Sequence, residues 1–265
     1  RSDVPLGIAL SGGIDTTAVV SADRYINPSM PIKTFSYIAP DERISEEQWI
    51  DKVAKEMCTE CHKVYTNPSE LQQHLDNILL MQGEPFGGTS IYVQYRVFQL
   101  AKERGVTVTL DGQGADELLA GYSGYPGQRM LSIIETEGVW AAHKYARCWA
   151  KAPGRSYKLA WAYLGRVVLP NKLYAWVRKK MGRDFAPAWL KMDVLKDAGV
   201  RFIEQRNPVH HSNRGMRVKE ALANSIIHRG LPSLLRHGDR NSMAFSIESR
   251  VPFLSLPLAE FLLSL

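Results

Sequence analysis

The sequence lacks three features that would each assign it to a large class of proteins. Its 265 residues contain only three cysteines, Cys58, Cys61 and Cys148, too few for the disulfide framework of a small secreted domain. No apolar run approaches the roughly 18 residues that a membrane-spanning helix needs, and no signal peptide opens the chain. The sequence therefore predicts a protein of the reducing cytoplasm without a membrane span.

The first glycine-rich segment also lacks the marks of two common phosphate-binding loops. Residues 6–20 read LGIALSGGIDTTAVV, with neither the Gly-Lys-Ser/Thr ending of a Walker loop nor the third glycine of a dinucleotide fingerprint. What is present is a short apolar run, a Ser-Gly-Gly turn and a helix that begins near Asp15. The free N–H groups at such a helix start point toward the turn and can bind phosphate. The segment predicts an anion site, with a plain strand-to-helix turn as the alternative.

Strands and helices alternate through the first half of the chain. Apolar segments predict strands at 6–10, 32–38, 62–65 and 106–110. The amphipathic segments between them predict helices, and this alternation is typical of a doubly wound parallel sheet, in which ligands bind at the carboxyl ends of the strands. After Tyr122 the strand signals stop, and residues 124–127 are typical of a linker. We expect an α/β nucleotide-binding core over residues 1–124 and a mainly helical region over 125–265.

A second glycine-rich turn follows the strongest predicted strand. It reads DGQGADELLAGY from Asp111 to Tyr122, so its N–H groups would face the same rim as those of the first loop. Two such loops suit a long polyphosphate. Asp15 and Asp116 are candidate Mg²⁺ ligands, because this cation prefers one or two carboxylates together with phosphate oxygens. The alternative for Asp116 and Glu117 is that they only cap the helix.

A third polar segment, DRNSMAFSIESRVPFL, begins at Asp239 and alternates charged with apolar side chains. Glu248 lies between Arg240 and Arg250, and the Val-Pro-Phe-Leu that follows would hold the backbone rigid. We predict that Glu248 is an acid, a base or an orienting group, with Arg250 in the same catalytic set. The alternative is a buried ion network of Arg240, Glu248 and Arg250 that is purely structural.

Together, SGGIDTT, LDGQGADELLAGY and DRNSMAFSIESRVPFL resemble the synthetase domain of the glutamine-dependent asparagine synthetase family, which has a sheet of the PP-loop ATP pyrophosphatase type. The resemblance covers nearly the whole chain and is weakest from about residue 125 to 217. It implies a two-step amide synthesis that uses ATP and Mg²⁺. A carboxylate, by default that of aspartate, is adenylated with loss of pyrophosphate, and ammonia derived from glutamine then attacks the acyl-adenylate.

The resemblance also implies roles for individual residues. Leu10 and Tyr37 would line the adenine site, and Asp111 and Gly112 the ribose or α-phosphate region. Pyrophosphate and magnesium would be held by Ser11, Gly12, Gly13, Asp15, Thr16 and Asp116. Gln113 departs from the family pattern, which often has a glutamate linked to acyl-adenylate formation, and an amide can orient groups but cannot act as a base.

Two further parts that the resemblance implies are missing from the 265 residues. One is a glutaminase domain that supplies ammonia, and the other is a catalytic lysine beyond the third motif. We therefore expect a fragment that cannot complete the reaction alone. A homodimer is left open.

Two rival functions also stay open. The acceptor could be another carboxylate, such as a sugar acid of a cell surface, because no acceptor-reading residue is apparent. A nucleic-acid-binding module is less favoured and would depend on segment 144–219, where 18 Lys and Arg accompany 4 Asp and Glu. Basic and aromatic side chains interleave in this way in single-strand-binding proteins, but the solvated faces of packed helices give the same pattern.

Overall fold

The computed structural model describes residues 2–182, 190–200, 214–228 and 230–265. These residues form two compact units, one from the start of the chain to Leu119 together with Ile226–Leu265, the other Ala120–Ser225. The elements in chain order are β1 (Leu6–Ala9), α1 (Ile14–Ile26), β2 (Lys33–Ile38), α2 (Glu47–Glu56), β3 (Glu60–Tyr65), α3 (Pro68–Gln82), α4 (Ser90–Glu103), β4 (Val108–Leu110), α5 (Ala115–Leu119), α6 (Tyr125–Glu137), α7 (Val139–Trp149), α8 (Tyr157–Val168), α9 (Asn171–Lys180), α10 (Met192–Asp197), α11 (Arg217–Ile227), α12 (Leu231–Met243), β5 (Glu248–Arg250) and α13 (Leu256–Ser264), with a 3₁₀ turn at Pro252–Leu254. Across the described ranges, no helix combines the length and the apolar character needed to cross a bilayer.

The first unit is built on a parallel sheet. Within the described residues it has five strands in the order β3-β2-β1-β4-β5, which confirms the predicted α/β class. Strands β2 and β3 lie on one side of β1, and β4 and β5 lie on its other side, so the strand order reverses at β1. In doubly wound sheets this switch opens a crevice at the carboxyl ends of the two central strands. One apolar cluster of the core is formed by Ile8, Leu10, Val19, Val20, Ile32, Ile38 and Ile50.

The strand β5 lies in a segment for which we expected no strand. Glu248–Arg250 pairs in parallel with Val108–Leu110, although charged side chains give little strand signal. The backbone pairing explains the strand, because the Glu248 N–H donates to the Thr107 carbonyl at 2.9 Å and the Asp111 N–H donates to the Arg250 carbonyl at 2.8 Å. The sheet unit therefore includes the end of the described chain, whereas the predicted core stopped at residue 124.

The described residues of the second unit form helices, and the expected linker lies at the start of the first of them. Helix α6 begins at Tyr125 with Pro126 in its first turn, where a missing N–H costs no hydrogen bond. Gly127 is buried, and a Cβ there would lie 2.4 Å from the Tyr163 carbonyl oxygen of α8. The linker prediction is wrong, because this proline starts a helix and this glycine lets two helices pack closely. The apolar cluster of this unit includes Met130, Leu131, Ile133, Ala142, Ala146, Ala160 and Leu164.

Candidate functional site

The first loop, Ser11–Gly13, joins β1 to α1 in a turn that requires glycine. Gly12 has φ +81°, and a Cβ there would lie 3.0 Å from the Cβ of Trp49 and 3.2 Å from the carbonyl oxygen of Glu46. Both the left-handed backbone and the lack of space exclude a larger residue. Gly13 caps α1 without a side-chain acceptor. The N–H groups of the first helical turn can therefore serve an anion.

Hydroxyl groups hold this loop in shape. The Ser11 N–H donates to Thr16 Oγ1 at 3.2 Å, and the two hydroxyl oxygens of these residues lie 3.1 Å apart. The Gly13 N–H donates to Ser11 Oγ at 3.2 Å, and Thr17 Oγ1 donates to the Gly13 carbonyl at 2.8 Å. Ser11 is exposed and Thr16 is buried. The serine can therefore turn its hydroxyl to a ligand, while the threonine supports the loop from below.

The second loop, residues 111–114, packs against the first turn of α1, which directly follows the first loop. A Cβ on Gly112 would lie 3.0 Å from Thr16 Cγ2, 3.2 Å from the Thr16 backbone nitrogen and 3.3 Å from the Cβ of Asp15. The sheet register explains the contact, because β1 and β4 pair Ile8 with Leu110 and both strands end at the same edge. Any larger side chain at Gly112 would push the loops apart. The structure thus brings together the two loops that the sequence indicated.

The carboxylate of Asp111 is held at the end of β4 by three donors. They are the backbone N–H groups of Gly112 and Gln113 and the side-chain amide of Gln94. Burial raises the pKa of Asp111, and these hydrogen bonds act in the opposite direction. Gln94 is itself fixed, because its Oε1 accepts a hydrogen bond of 3.0 Å from the buried Nδ2 of Asn241.

The sequence analysis missed Gln94 and Asn241. Asn241 also donates to the Ile91 carbonyl at 2.9 Å and accepts from Gln82 Nε2 at 2.8 Å. Gln82, Gln94 and Asn241 each lie on a helix, and a single amide residue does not change the hydrophobic periodicity of a helix. Their side chains come into contact only because α3, α4 and α12 pack together. Such a buried and bonded polar network fixes the position of the Asp111 carboxylate.

Two further carboxylates lie near Asp15. The pKa of Asp15 is raised, first by burial and then by the negative charges of Asp116 and Glu117 at the start of α5. A divalent cation would relieve this repulsion, so the residues fit Mg²⁺. Within the described residues, no group of three or more His, Cys, Asp and Glu side chains could hold a metal by itself. The donor set therefore fits a cation that also takes oxygen ligands from phosphate.

Comparison with known proteins adds the family to this geometry. Residues 1–265 match the family model described as Asparagine synthase. The chain belongs to the asparagine synthase family. Asparagine synthetase [glutamine-hydrolyzing] 1 of Bacillus subtilis is 37% identical over 135 residues, which are 51% of this chain and 21% of that protein. Asparagine synthetase [glutamine-hydrolyzing] 2 of Lotus japonicus is 27% identical over 262 residues, covering 91% of this chain and 42% of that protein. The chain spans less than half the length of these relatives.

The side chains to which the asparagine synthase resemblance assigns a role at the nucleotide site differ in how exposed they are. Tyr37 is half-buried near the end of β2, two residues beyond the pairing of Phe35 with Ala9, and Gln113 is half-buried in the second loop. Leu10 differs, because its side chain is 2% exposed and belongs to the core. Any contact of Leu10 with a nucleotide must therefore be made by its backbone.

Within the asparagine synthase fold, Glu248 lies at the amino end of β5. The register pairs Glu248 with Val108 and Arg250 with Leu110, so Arg250 is the nearer of the two to the edge where the loops meet. Arg250 Nε and Glu248 Oε1 are 2.7 Å apart, with side chains 40% and 59% exposed, and Arg240 is exposed as well. The alternative of a buried ion network is therefore wrong. The catalytic role of Glu248 stays a prediction that this register does not support.

We expect Glu248→Gln to leave both the thermal unfolding curve and the rate of ATP–pyrophosphate exchange unchanged. The carboxylate pairs with the neighbouring Arg250, whose hydrogen bond lowers the pKa of Glu248, and exposed ion pairs contribute little to stability. A large loss of exchange with an unaltered unfolding curve would restore Glu248 to the catalytic set.

We expect Asp15→Asn to raise the midpoint of thermal unfolding of the ligand-free protein at neutral pH. The folded state raises the pKa of Asp15, so the ionised carboxylate is less favourable in the folded chain than in the unfolded chain. This cost is present above the folded pKa and disappears as the pH falls through it and the carboxyl group becomes neutral. The gain of the variant should therefore shrink in acid, and melting curves from neutral to acidic pH measure it. A variant less stable than the wild type at neutral pH would contradict this electrostatic account.

Proposed function

We propose that the chain is the synthetase part of an ATP-dependent amide-forming ligase. In this proposal ATP is split into AMP and pyrophosphate, an acyl-adenylate of the acceptor carboxylate is formed, and ammonia derived from glutamine replaces AMP. The acceptor is aspartate and the product asparagine, in keeping with the names of the relatives.

The contact between the two glycine-rich loops is the observation that carries the proposal. Gly112 lies against Asp15 and Thr16, so the first turn of α1, with its backbone N–H groups, meets the second loop at one edge of the sheet. Burial and the negative charges of Asp116 and Glu117 both disfavour the ionised form of Asp15, and a divalent cation at this place would offset that cost. Donors for phosphate and ligands for a divalent cation together suit a magnesium nucleotide.

The residues of the chain then have separate tasks. A carboxylate is a poor electrophile until one oxygen becomes a good leaving group, so the protein must position the acceptor and stabilise charge on the phosphates. Ser11, Gly12 and Gly13 would bind the pyrophosphate, and Asp15 and Asp116 would hold Mg²⁺, which neutralises phosphate charge when bound. Asp111, fixed by Gln94, would orient the ribose or the α-phosphate region. Gln113 would orient the reacting groups by hydrogen bonds, since its amide cannot take a proton.

Product analysis tests this proposal. The full-length protein is purified and incubated with ATP, Mg²⁺, an ammonium salt and either aspartate or a panel of other carboxylates, and the nucleotide products are separated. We expect AMP and pyrophosphate to form only with aspartate present. Formation with a sugar acid and not with aspartate would move the acceptor to another class while keeping the reaction. ADP and phosphate as products with every acid would contradict the reaction itself.

A further inference from the structure

The helical second unit contains a cavity that the ligase proposal does not use. Its volume is about 580 Å³, within the range of cavities that bind small organic molecules. The walls come from α6, α7, α8 and the segment that precedes α6. The lining includes Tyr122, Tyr125, Arg129, Tyr145, Trp149, Arg155 and Tyr163. We call it the aromatic pocket.

Two arginines give the aromatic pocket its charge. Arg129 lies on α6 and Arg155 in the turn between α7 and α8, and both are exposed. No Asp or Glu belongs to the described lining. The sequence segment 144–219, to which Tyr145, Trp149, Arg155 and Tyr163 of the lining belong, has 18 Lys and Arg against 4 Asp and Glu. Such a charge balance attracts anions.

Aromatic rings form much of the remaining wall. The guanidinium of Arg155 lies over the Trp149 ring, 5.0 Å from its centroid, and the Trp149 and Tyr163 ring centroids are 6.1 Å apart, edge to face. Burial raises the pKa of Tyr145, and the positive charges of Arg129 and Arg155 act in the opposite direction. Both guanidinium groups therefore lie close enough to influence the same phenol. The pocket combines two cations with flat apolar surface.

We propose that the aromatic pocket binds an organic acid with a ring-sized body. The carboxylate would pair with Arg129 and Arg155, because guanidinium groups match carboxylates in geometry and charge. The ring would pack against Trp149 and the tyrosines, whose faces offer a large apolar contact. A four-carbon acid such as aspartate would leave most of 580 Å³ unfilled. The pocket is thus a second ligand site, and it does not depend on the proposed ligase reaction.

Calorimetric titration with matched pairs of ligands tests the inference. One pair is glucuronate and glucose, which share a sugar ring and differ in the carboxylate. The second pair is 4-hydroxyphenylacetate and 4-hydroxyphenylethanol, which share an aromatic ring. We expect the acid of at least one pair to bind about tenfold or more tightly than its neutral partner, and more tightly than aspartate, because hydrogen bonds to charged groups are the stronger ones. If the acid of the first pair binds more tightly, the ligand of the pocket carries a sugar ring, and if the acid of the second pair does, the ligand carries an aromatic ring.

The variants Arg129→Gln and Arg155→Gln link binding to the pocket. Each should weaken the preferred acid by about tenfold or more without changing its neutral partner, and neither should alter the unfolding curve, since both side chains are exposed. Arg147→Gln is the matched control, because Arg147 is an exposed arginine of α7 outside the lining. Equal binding of acids and neutral partners, or equal losses in Arg147→Gln, would overturn the inference. Binding is measured without ATP, so a failure of the ligase proposal leaves this result unaffected.

Discussion

Replacement of Asp15 by asparagine should reduce ATP–pyrophosphate exchange by about 100-fold or more, because in the proposed reaction this carboxylate would hold a cation that stabilises charge in the transition state. The side chain keeps its size and can still accept a hydrogen bond, so the loop around Gly12 should keep its shape. Exchange is measured with the purified full-length protein at saturating aspartate. Asp76→Asn, an exposed aspartate on α3, is the matched control and should retain the wild-type rate.

The same variant separates a functional from a structural role of Asp15. A structural carboxylate would lower stability when removed, whereas the burial of Asp15 and its repulsion by Asp116 and Glu117 predict higher stability with lost exchange. Asp15→Asn should therefore be more stable and less active than the wild type. An unchanged exchange rate would remove Asp15 from the magnesium site.

Substitution of Gly127 by alanine should destabilise the helical unit by about 1–3 kcal/mol, the usual cost of excess volume in a packed core. The added Cβ would lie 2.4 Å from the Tyr163 carbonyl oxygen and 2.6 Å from its carbonyl carbon. Backbone atoms cannot rotate away as a side chain can, so α6 and α8 would have to separate. Denaturant unfolding followed by circular dichroism measures the loss.

Gly165→Ala provides the matched control for Gly127→Ala. Gly165 lies on α8, and the nearest atom to an added Cβ there is Leu169 Cδ1 at 3.8 Å. Alanine in an open helical position should stabilise the protein by about 0.5–1 kcal/mol, because it restricts the unfolded chain. If both variants lost the same stability, the close approach of α6 and α8 would not be the cause.

The sequence predicted the sheet where strands are apolar and separated by helices, and it failed where pairing alone makes the strand. Strands β1, β2 and β4 carry mostly apolar or β-branched residues, so the sequence pattern alone predicts them, whereas it predicted only residues 62–65 of β3. Glu248–Arg250 becomes a strand only because the free edge of β4 offers backbone partners. In the same way Gly127 resembles a linker residue until the carbonyl of Tyr163 lies beside it. Both errors concern contacts between segments distant along the chain.

The residues of the candidate site also differ in this way: those with a local sequence signal were predicted, and those positioned by distant contacts were missed. Loop residues such as Gly12, Asp15 and Gly112 were predicted because glycine turns before helix starts have a local chemical meaning. Leu10 was assigned to a ligand, yet its side chain fills the core. Gln94 was missed because its hydrogen bonds to Asp111 and Asn241 join three separate segments. The sequence thus indicated the two glycine-rich loops and not the buried amides that support the second of them.

Equilibrium binding of ATP with and without Mg²⁺ tests most directly the claim that the two loops and their carboxylates form a magnesium-nucleotide site. Calorimetric titrations of the wild-type protein and of Asp15→Asn are compared at the same pH and ionic strength. The account predicts one ATP site per chain, binding that weakens by about tenfold or more when Mg²⁺ is removed, and a smaller dependence on Mg²⁺ in Asp15→Asn. ATP binding that is equally tight without Mg²⁺ and unaffected by Asp15→Asn would contradict it.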